Sequence, residues 1–395
     1  LRINLLFQPN SLEVLYWTAS FYLIIRYIHT GKDGYVLGLG ALFGLGLLNK
    51  YSAGFFVIGT LVGLLLTPHR RLLRKPAFYY AIGIALVLFL PNLIWQIKHR
   101  VPFFHHMRLL AENQLQYVKT SDFLQDQLLL CLPAVFVWTV GLASLFLVPG
   151  LRKYALVGIV YLTVLLTLIL LHGKNYYTVG LYPGLLAFGG VVWERATARG
   201  GRVWLRPALL VIPVAVLLPF LPLAYPVWSP EKTAAFARKF RGTGILRWED
   251  GQNHPLPQDY ADMLGWRELT GKVAAAYQTI PAGERRQTAI ICANYGQAGA
   301  INYYGKKDGL PRAHSSEASY LLWMPDGLRL KNVIVVDDEP DGLSDHFLSF
   351  RQTGRVENPY AREKGTFIIV ALGADNVIRN AHYREIREKK KQFGL

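Results

Sequence analysis

The chain has 395 residues, of which 52% are hydrophobic and only 17% charged, against roughly 25% charged in an ordinary soluble domain. Its 43 Lys and Arg exceed its 26 Asp and Glu, for a formal charge of +17. Two cysteines and no internal repeat exclude a disulfide scaffold and a collagen-like chain. The apolar residues are concentrated in 1–228, whereas 229–395 read as water-soluble. The pattern is that of a polytopic α-helical membrane protein with a C-terminal α/β domain.

A hydrocarbon core of about 30 Å asks for roughly 20 helical residues. About eight candidate spans follow: 11–28, 35–49, 52–67, 77–96, 128–149, 154–171, 176–193 and 206–228. Two short helices are read at 35–49 and 52–67, with a single re-entrant unit as the alternative. The chain starts at Leu1 without Met, signal peptide or charged leader. The expectation is a fragment whose N-terminal part is missing.

Lys and Arg in short loops orient the spans. Arg26 and Lys32, Arg70, Arg71, Arg74 and Lys75, Arg152 and Lys153, and Arg195, Arg199, Arg202 and Arg206 alternate with eight crossings. They fall together on the cytoplasmic side, which places Lys50, the 97–127 loop, the 172–175 turn and the tail outside. Trp193, Trp204 and Trp228 lie at span ends as interface anchors. Many of the basic residues thus sit in short loops between apolar runs, where topology explains them better than nucleic acid does, so nucleic acid is not an expected partner.

Residues 229–261 carry Pro230, Pro255 and Pro257 and read as an irregular linker. From 262 to 395 a soluble α/β domain is expected, with a largely parallel sheet. Helices are read at 266–279, 296–303 and 340–349, and strands at 288–294, 320–324, 332–336 and 366–371. Tyr295, Gly296 and Gln297 follow the first strand and are the tail's candidate site, a Gly-containing turn opening a helix. The spacing is not that of a nucleotide-binding loop.

Outward-facing charges at span ends are the main candidates for chemistry. Lys50 has no topological reason to lie there. Lys174 sits beside Tyr176, Tyr177 and Tyr182, and a cation among phenols suits a lipid-borne phosphate. Glu13, at the start of the first span, is a weaker candidate, because an acid at the lipid boundary is costly. His99, His105 and His106 meet no metal-ligand spacing, so no metal ligand is assigned.

Several segments together resemble the bacterial membrane glycosyltransferases of family 39. These are the protein-mannosyltransferase-like enzymes of the GT-C superfamily, akin to the aminoarabinose transferase of lipid A. The segments are FQPNSLEVLYW (7–17), GLGLLNKYS (44–52), PNLIWQIKHRVPFFHH (91–106), GKNYYTVGLYP (173–183), LPQDYADMLGW (256–266) and ANYGQAGAINYYG (293–305). Glu13 and Asn10 stand where the family usually carries Asp. The resemblance implies a sugar passing from a polyprenyl-phosphate donor to a lipid-linked glycan, lipid A or protein hydroxyl, with inversion. It implies a bacterial inner membrane, an outer-face site and a tail on the periplasmic side. Lys50, Lys174, Tyr177 and Tyr182 become donor-phosphate contacts. The general base is expected upstream of Leu1, so this fragment alone is expected to be inactive. No cofactor is assigned, with a divalent cation left open. A transporter or flippase of lipid-linked saccharides, or a non-catalytic envelope scaffold, is the alternative.

Overall fold

A computed structural model describes residues 4–198, 201–328, 330–340 and 342–395. Leu1 and Arg199, named above, and Asp341, within the helix read at 340–349, lie outside them. The chain divides into two compact units. One comprises residues 1–95, 109–228 and 249–251, and the other 96–108, 229–248 and 252–395.

The first unit is helical. It contains α1 (Asn10–Thr30), α2 (Gly34–Asn49), α3 (Ala53–Leu66) and α4 (Pro76–Lys98), which runs on into the second unit. Amphipathic α5 (Pro102–Asn113) is followed by α6 (Thr120–Leu130), α7 (Val135–Leu147) and α8 (Ala155–Leu170). A 3-10 turn over Asn175–Leu181 leads into α9 (Tyr182–Thr197), then α10 (Leu205–Leu217) and the short α11 (Leu221–Ala224). All eight apolar segments contain helix. Among the described residues three helices are long and apolar enough to cross a membrane, Pro76–Lys98, Arg152–Leu170 and Arg202–Ala224. Up to five are if two bent pairs each count as one span. The pair Thr120–Leu130 and Leu132–Leu147 is bent by 66° at Cys131, just before the 3-10 turn Leu132–Ala134 and its Pro133, which has no N–H to continue the ladder.

The core gathers Trp17, Phe21, Phe56, Trp138, Tyr161 and Tyr182 with aliphatic residues of α8 and α9. Small residues let backbones meet there. A Cβ on Gly141 would overlap the Leu185 carbonyl, and one on Gly189 the Val137 carbonyl, so α7 and α9 each need the other's glycine.

Two ends are distinguishable within this unit. At one end Lys75 pairs with Asp33 at 3.0 Å, and His69 Nε2 lies 2.8 Å from the Lys153 carbonyl, which joins three basic turns. At the other end Asn49 donates to the Pro9 carbonyl at 2.9 Å and Lys50 to Asn10 at 2.6 Å.

The second unit holds α12 (Pro230–Ala237), α13 (Gln258–Ala261), α14 (Trp266–Gln278) and α15 (Ala282–Arg285). The stretch read as an irregular linker is therefore partly helical. Ser229 caps α12, Pro230 suits its first turn, and Ala234, Leu256 and Tyr260 are buried together. The sheet follows: β1 (Thr288–Cys292), α16 (Tyr295–Tyr304), β2 (Ala313–His314), β3 (Asn332–Asp337), β4 (Phe347–Arg355), β5 (Phe367–Ala374) and α17 (Asn376–Gln392). Strand order is β2-β1-β3-β5-β4. β1 pairs in parallel with β2 and β3, while β5 runs antiparallel to β3 and β4, so the sheet is mixed rather than largely parallel.

Two further expectations are corrected. Residues 320–324 are not a strand: Ala318–Trp323 is a 3-10 helix. Buried Leu321 and Met324 stand three apart, the repeat of that helix. Residues 342–349 are not one continuous helix either: Gly342 at φ +77° precedes a short 3-10 turn over Ser344–His346, which leads into edge strand β4.

Candidate functional site

Glu13 lies in the first turn of α1 and is 5% exposed. A carboxylate is tolerated there because both oxygens are engaged: one receives Lys50 Nζ at 3.0 Å and the other the Ser52 hydroxyl. Lys50 comes from the turn between α2 and α3, where the chain leaves the helix in an extended conformation. Its ammonium also donates to Asn10 Oδ1 at 2.6 Å and lies 4.0 Å from the Tyr177 ring centroid and 5.3 Å from that of Tyr176. Burial holds the Lys50 amine below the usual lysine value; Glu13 opposes that shift and the Lys174 charge adds to it.

Lys174 precedes the 3-10 turn after α8. It donates to Gln114 Oε1 at 2.5 Å, pairs with Glu249 and lies 5.9 Å from the Tyr176 ring centroid. Tyr176 thus sits between two lysines that are 124 residues apart in the chain (174 − 50). Asn175 donates to Asp126 at 2.6 Å and orders the turn that presents all three residues.

The structure brings Glu13, Lys50, Lys174 and Tyr177 to one end of the helical unit. It does not bring the Tyr182 hydroxyl to them. Tyr182 is 1% exposed, packs on Trp138 and Tyr161, and donates to the Gln127 carbonyl at 2.9 Å. Asn10, Ser52, Gln114, Tyr176 and Glu249 complete the cluster. Asn10 and Tyr176 stand beside candidates in the sequence, but Gln114 and Glu249 carry no local signal.

In the other unit, Tyr295, Gly296 and Gln297 open α16. The Tyr295 N–H donates to Glu317 at 3.1 Å, and Asn294 Oδ1 caps the Gln297 N–H at 2.9 Å. A Cβ on Gly296 would lie 3.1 Å from both Asn294 Oδ1 and the Trp266 ring. Gln297 is fully buried and donates to Glu363 at 2.6 Å. The helix N-terminus is already occupied by protein oxygens, and these three residues form a structural turn.

Chemically, the first cluster presents two ammonium groups, each paired with a carboxylate, beside two tyrosine rings, and ammonium groups of this kind can hold a phosphate monoester or diester. Among the described residues no group of three His, Cys, Asp or Glu side chains is placed to hold a metal ion.

Residues 1–95 match the family model of dolichyl-phosphate-mannose-protein mannosyltransferase. The match supports a membrane glycosyltransferase of the GT-C type. It covers Glu13, Lys50 and Ser52, one half of the cluster, and stops before Lys174. Searches of curated proteins and of solved structures found no match. A glycosyltransferase of this kind implies a lipid-linked sugar donor and an acceptor at a membrane.

Proposed function

We propose that this protein belongs with the bacterial family-39 glycosyltransferases and moves a sugar from a polyprenyl-phosphate donor to a lipid-linked glycan, lipid A or protein hydroxyl. The reaction takes place at the outer face of the inner membrane, as a step in building the cell envelope. The observation that carries the reading is the convergence of Lys50 and Lys174 on Tyr176, at the end of the helical unit away from the basic turns.

In this reading the acceptor oxygen attacks the anomeric carbon from the face opposite the phosphate. The carbon–oxygen bond to phosphate breaks, its electron pair leaves with the polyprenyl phosphate, the acceptor's proton passes to a base outside this cluster, and the configuration inverts. Lys50 and Lys174 stabilise the charge that grows on the leaving phosphate, while the Tyr176 and Tyr177 rings hold the lysines in place. Glu13 is not the base that takes the acceptor proton. Both its oxygens already accept hydrogen bonds, one from Lys50 Nζ and the other from the Ser52 hydroxyl, and so face those side chains. Its part is to fix Lys50.

The test is transfer of radiolabel from a polyprenyl-phosphate-linked sugar to endogenous acceptor in membranes carrying the full-length protein. Lys174→Ala is expected to cut transfer by about 10²-fold, the typical loss for one transition-state contact, with membrane insertion intact. Unchanged turnover would remove Lys174 from the site.

A further inference from the structure

Helix α4 is 23 residues long and apolar enough to cross a membrane. Ile94 and Ile97 are still exposed in its final turns, and Lys98 is its last residue, where a long cation reaches from the edge of the hydrocarbon towards water. Four Cα steps lead from Lys98 to Pro102, at most about 14 Å, so α5 begins beside the headgroups of any bilayer that α4 crosses. The turn between them is fixed. Val101 N–H donates to the Gln96 carbonyl at 2.6 Å and Phe103 N–H to Gln96 Oε1 at 3.2 Å, while Arg100 and Val101 take φ of +59° and +52°. A β-branched residue in that region is strained, so the entry of α5 is imposed by these bonds to α4.

Helix α5 carries a stripe of its own. Phe103, Phe104, Met107 and Leu110 recur at helical spacing, yet no described residue of the helix is buried, and Phe104 is 69% exposed. Arg108, one turn after Phe104, borders the stripe. An exposed apolar stripe edged by a cation, directly after an apolar span, fits the boundary between headgroups and acyl chains.

The charge around the stripe points to the same surroundings. The Phe393 carbonyl accepts from His99 Nδ1 at 3.1 Å, and the Phe393 ring meets that of His105 edge-on at 5.2 Å, which brings the end of α17 beside this turn. Lys389 and Lys390 there are tied to Glu385 and Asp326. Lys98, Arg100, Arg108, Arg387 and Lys391 are exposed, and among the described residues no ion pair engages them. Residues 98–113 and 387–395 hold seven Lys and Arg; set against Glu112, Glu388, Glu385 and Asp326 the balance is +3 (7 − 4). Because α4 starts directly after the basic turn over 68–75, this charge lies at the opposite end of the helix, where retention of basic loops in the cytoplasm does not account for it.

We propose that the exit of α4, the stripe of α5 and the end of α17 form a docking surface for anionic phospholipids of the surrounding bilayer. Phe104 and Met107 enter the acyl-chain boundary, and Lys98, Arg100, Arg108, Arg387 and Lys391 take the headgroup phosphates. The inference rests on α4 crossing the membrane and not on sugar transfer.

The experiment places a fluorophore on Met107→Cys in the whole protein in bilayers, with Cys131→Ser and the buried Cys292 left in place. Quenching by nitroxide-labelled phosphatidylglycerol is compared with quenching by nitroxide-labelled phosphatidylcholine and by aqueous acrylamide. With the charges intact, both lipids are expected to quench more than acrylamide, and the anionic lipid about fivefold more than the zwitterionic one, the scale of one Lys or Arg at an anionic surface. Adding Lys98→Gln, Arg108→Gln and Arg100→Asn, the last suited to its left-handed φ, should bring the two lipids level. Arg387→Gln with Lys391→Gln should go part of the way. Lys306→Gln with Lys307→Gln, exposed in the same unit, should leave the preference as it was. Equal quenching by both lipids with all charges present, or a preference that survives the triple charge change, overturns the headgroup contacts. Quenching by acrylamide alone puts the stripe in water and overturns the docking surface, and a dimer that shields the label from all three quenchers gives the stripe to a second copy instead.

Discussion

Glu13 and Lys50 meet from 37 residues apart, and their pairing is an anchor at the mouth of the helical unit. With Glu13 removed, Lys50 stays 18% exposed and loses its only acidic neighbour among the ion pairs described. Breaking a buried pair from one side costs about 3–5 kcal/mol. Glu13→Ala is expected at the lower end, about 3 kcal/mol, because Asn10 and the Tyr177 face still hold the ammonium. The check is thermal unfolding in detergent, with Lys50→Met added as a second change. The double variant should melt closer to the wild type than Glu13→Ala does, since no unpaired charge remains. A single variant that melts with the wild type would mean the pair anchors nothing. Lys50 and Lys174 were legible as residues because a cation outside the basic loops needs a reason. Glu249 was not, for an acid in a proline-flanked soluble stretch looks like solvated loop until the fold sets it against Lys174. Tyr182 shows the converse: lying next in line after Tyr176 and Tyr177, it turns its hydroxyl to Gln127 because helix α9 begins there.

At the scale of elements, long apolar runs and buried strands were readable and half-buried pieces were not. β3 is apolar on both faces, as a central strand must be, and is found where the sequence places it. β4 is an edge strand with Leu348 exposed and a bulge between Gln352 and Gly354, so its alternation is too broken to read. The mixed sheet was hidden for a related reason, since direction depends on which strand pairs with which. One pair of elements yields a pH prediction. His314 on β2 and His382 on α17 are both held below the usual histidine value of 6.5 by burial. Arg312 and His382 depress His314 further; at His382, Glu385 opposes the shift and Lys389 adds to it. The unfolded chain then takes up protons first as pH falls, so the stability these neutral rings confer is complete above about 6.5 and lost below it. The protein should melt at a lower temperature at about pH 5.5 than at about pH 7.5. His314→Asn with His382→Asn should flatten that dependence, and an unaltered slope would assign it to other groups.

For the whole molecule, the distribution of charge argues for one orientation. Lys75 with Asp33 and His69 with the Lys153 carbonyl gather basic turns that are distant in sequence at one end of the helical unit. Lys50 and Lys174 stand at the other end, each held by an acid. Clusters of basic residues in short loops stay on the cytoplasmic side, and the turn over 68–75 carries Arg70, Arg71 and Arg74 besides the paired Lys75, whereas Lys50 and Lys174 are single lysines in their turns. On the proposed reading the lysine cluster lies at the outer face, and the tail follows if an odd number of crossings separates it from the last basic turn. Arg202–Ala224, long and apolar enough to cross a membrane, lies between Arg202 and the residues from 229 onward, and on the proposed reading it is that single crossing. Alkaline phosphatase fused after Leu395 should then be active and a green fluorescent protein at the same position dark. Fusions in the turn over 68–75 should give the reverse pair. A bright green fluorescent protein at the C-terminus would place the tail in the cytoplasm, and with it the end of Arg202–Ala224 that the lysine cluster is expected to share.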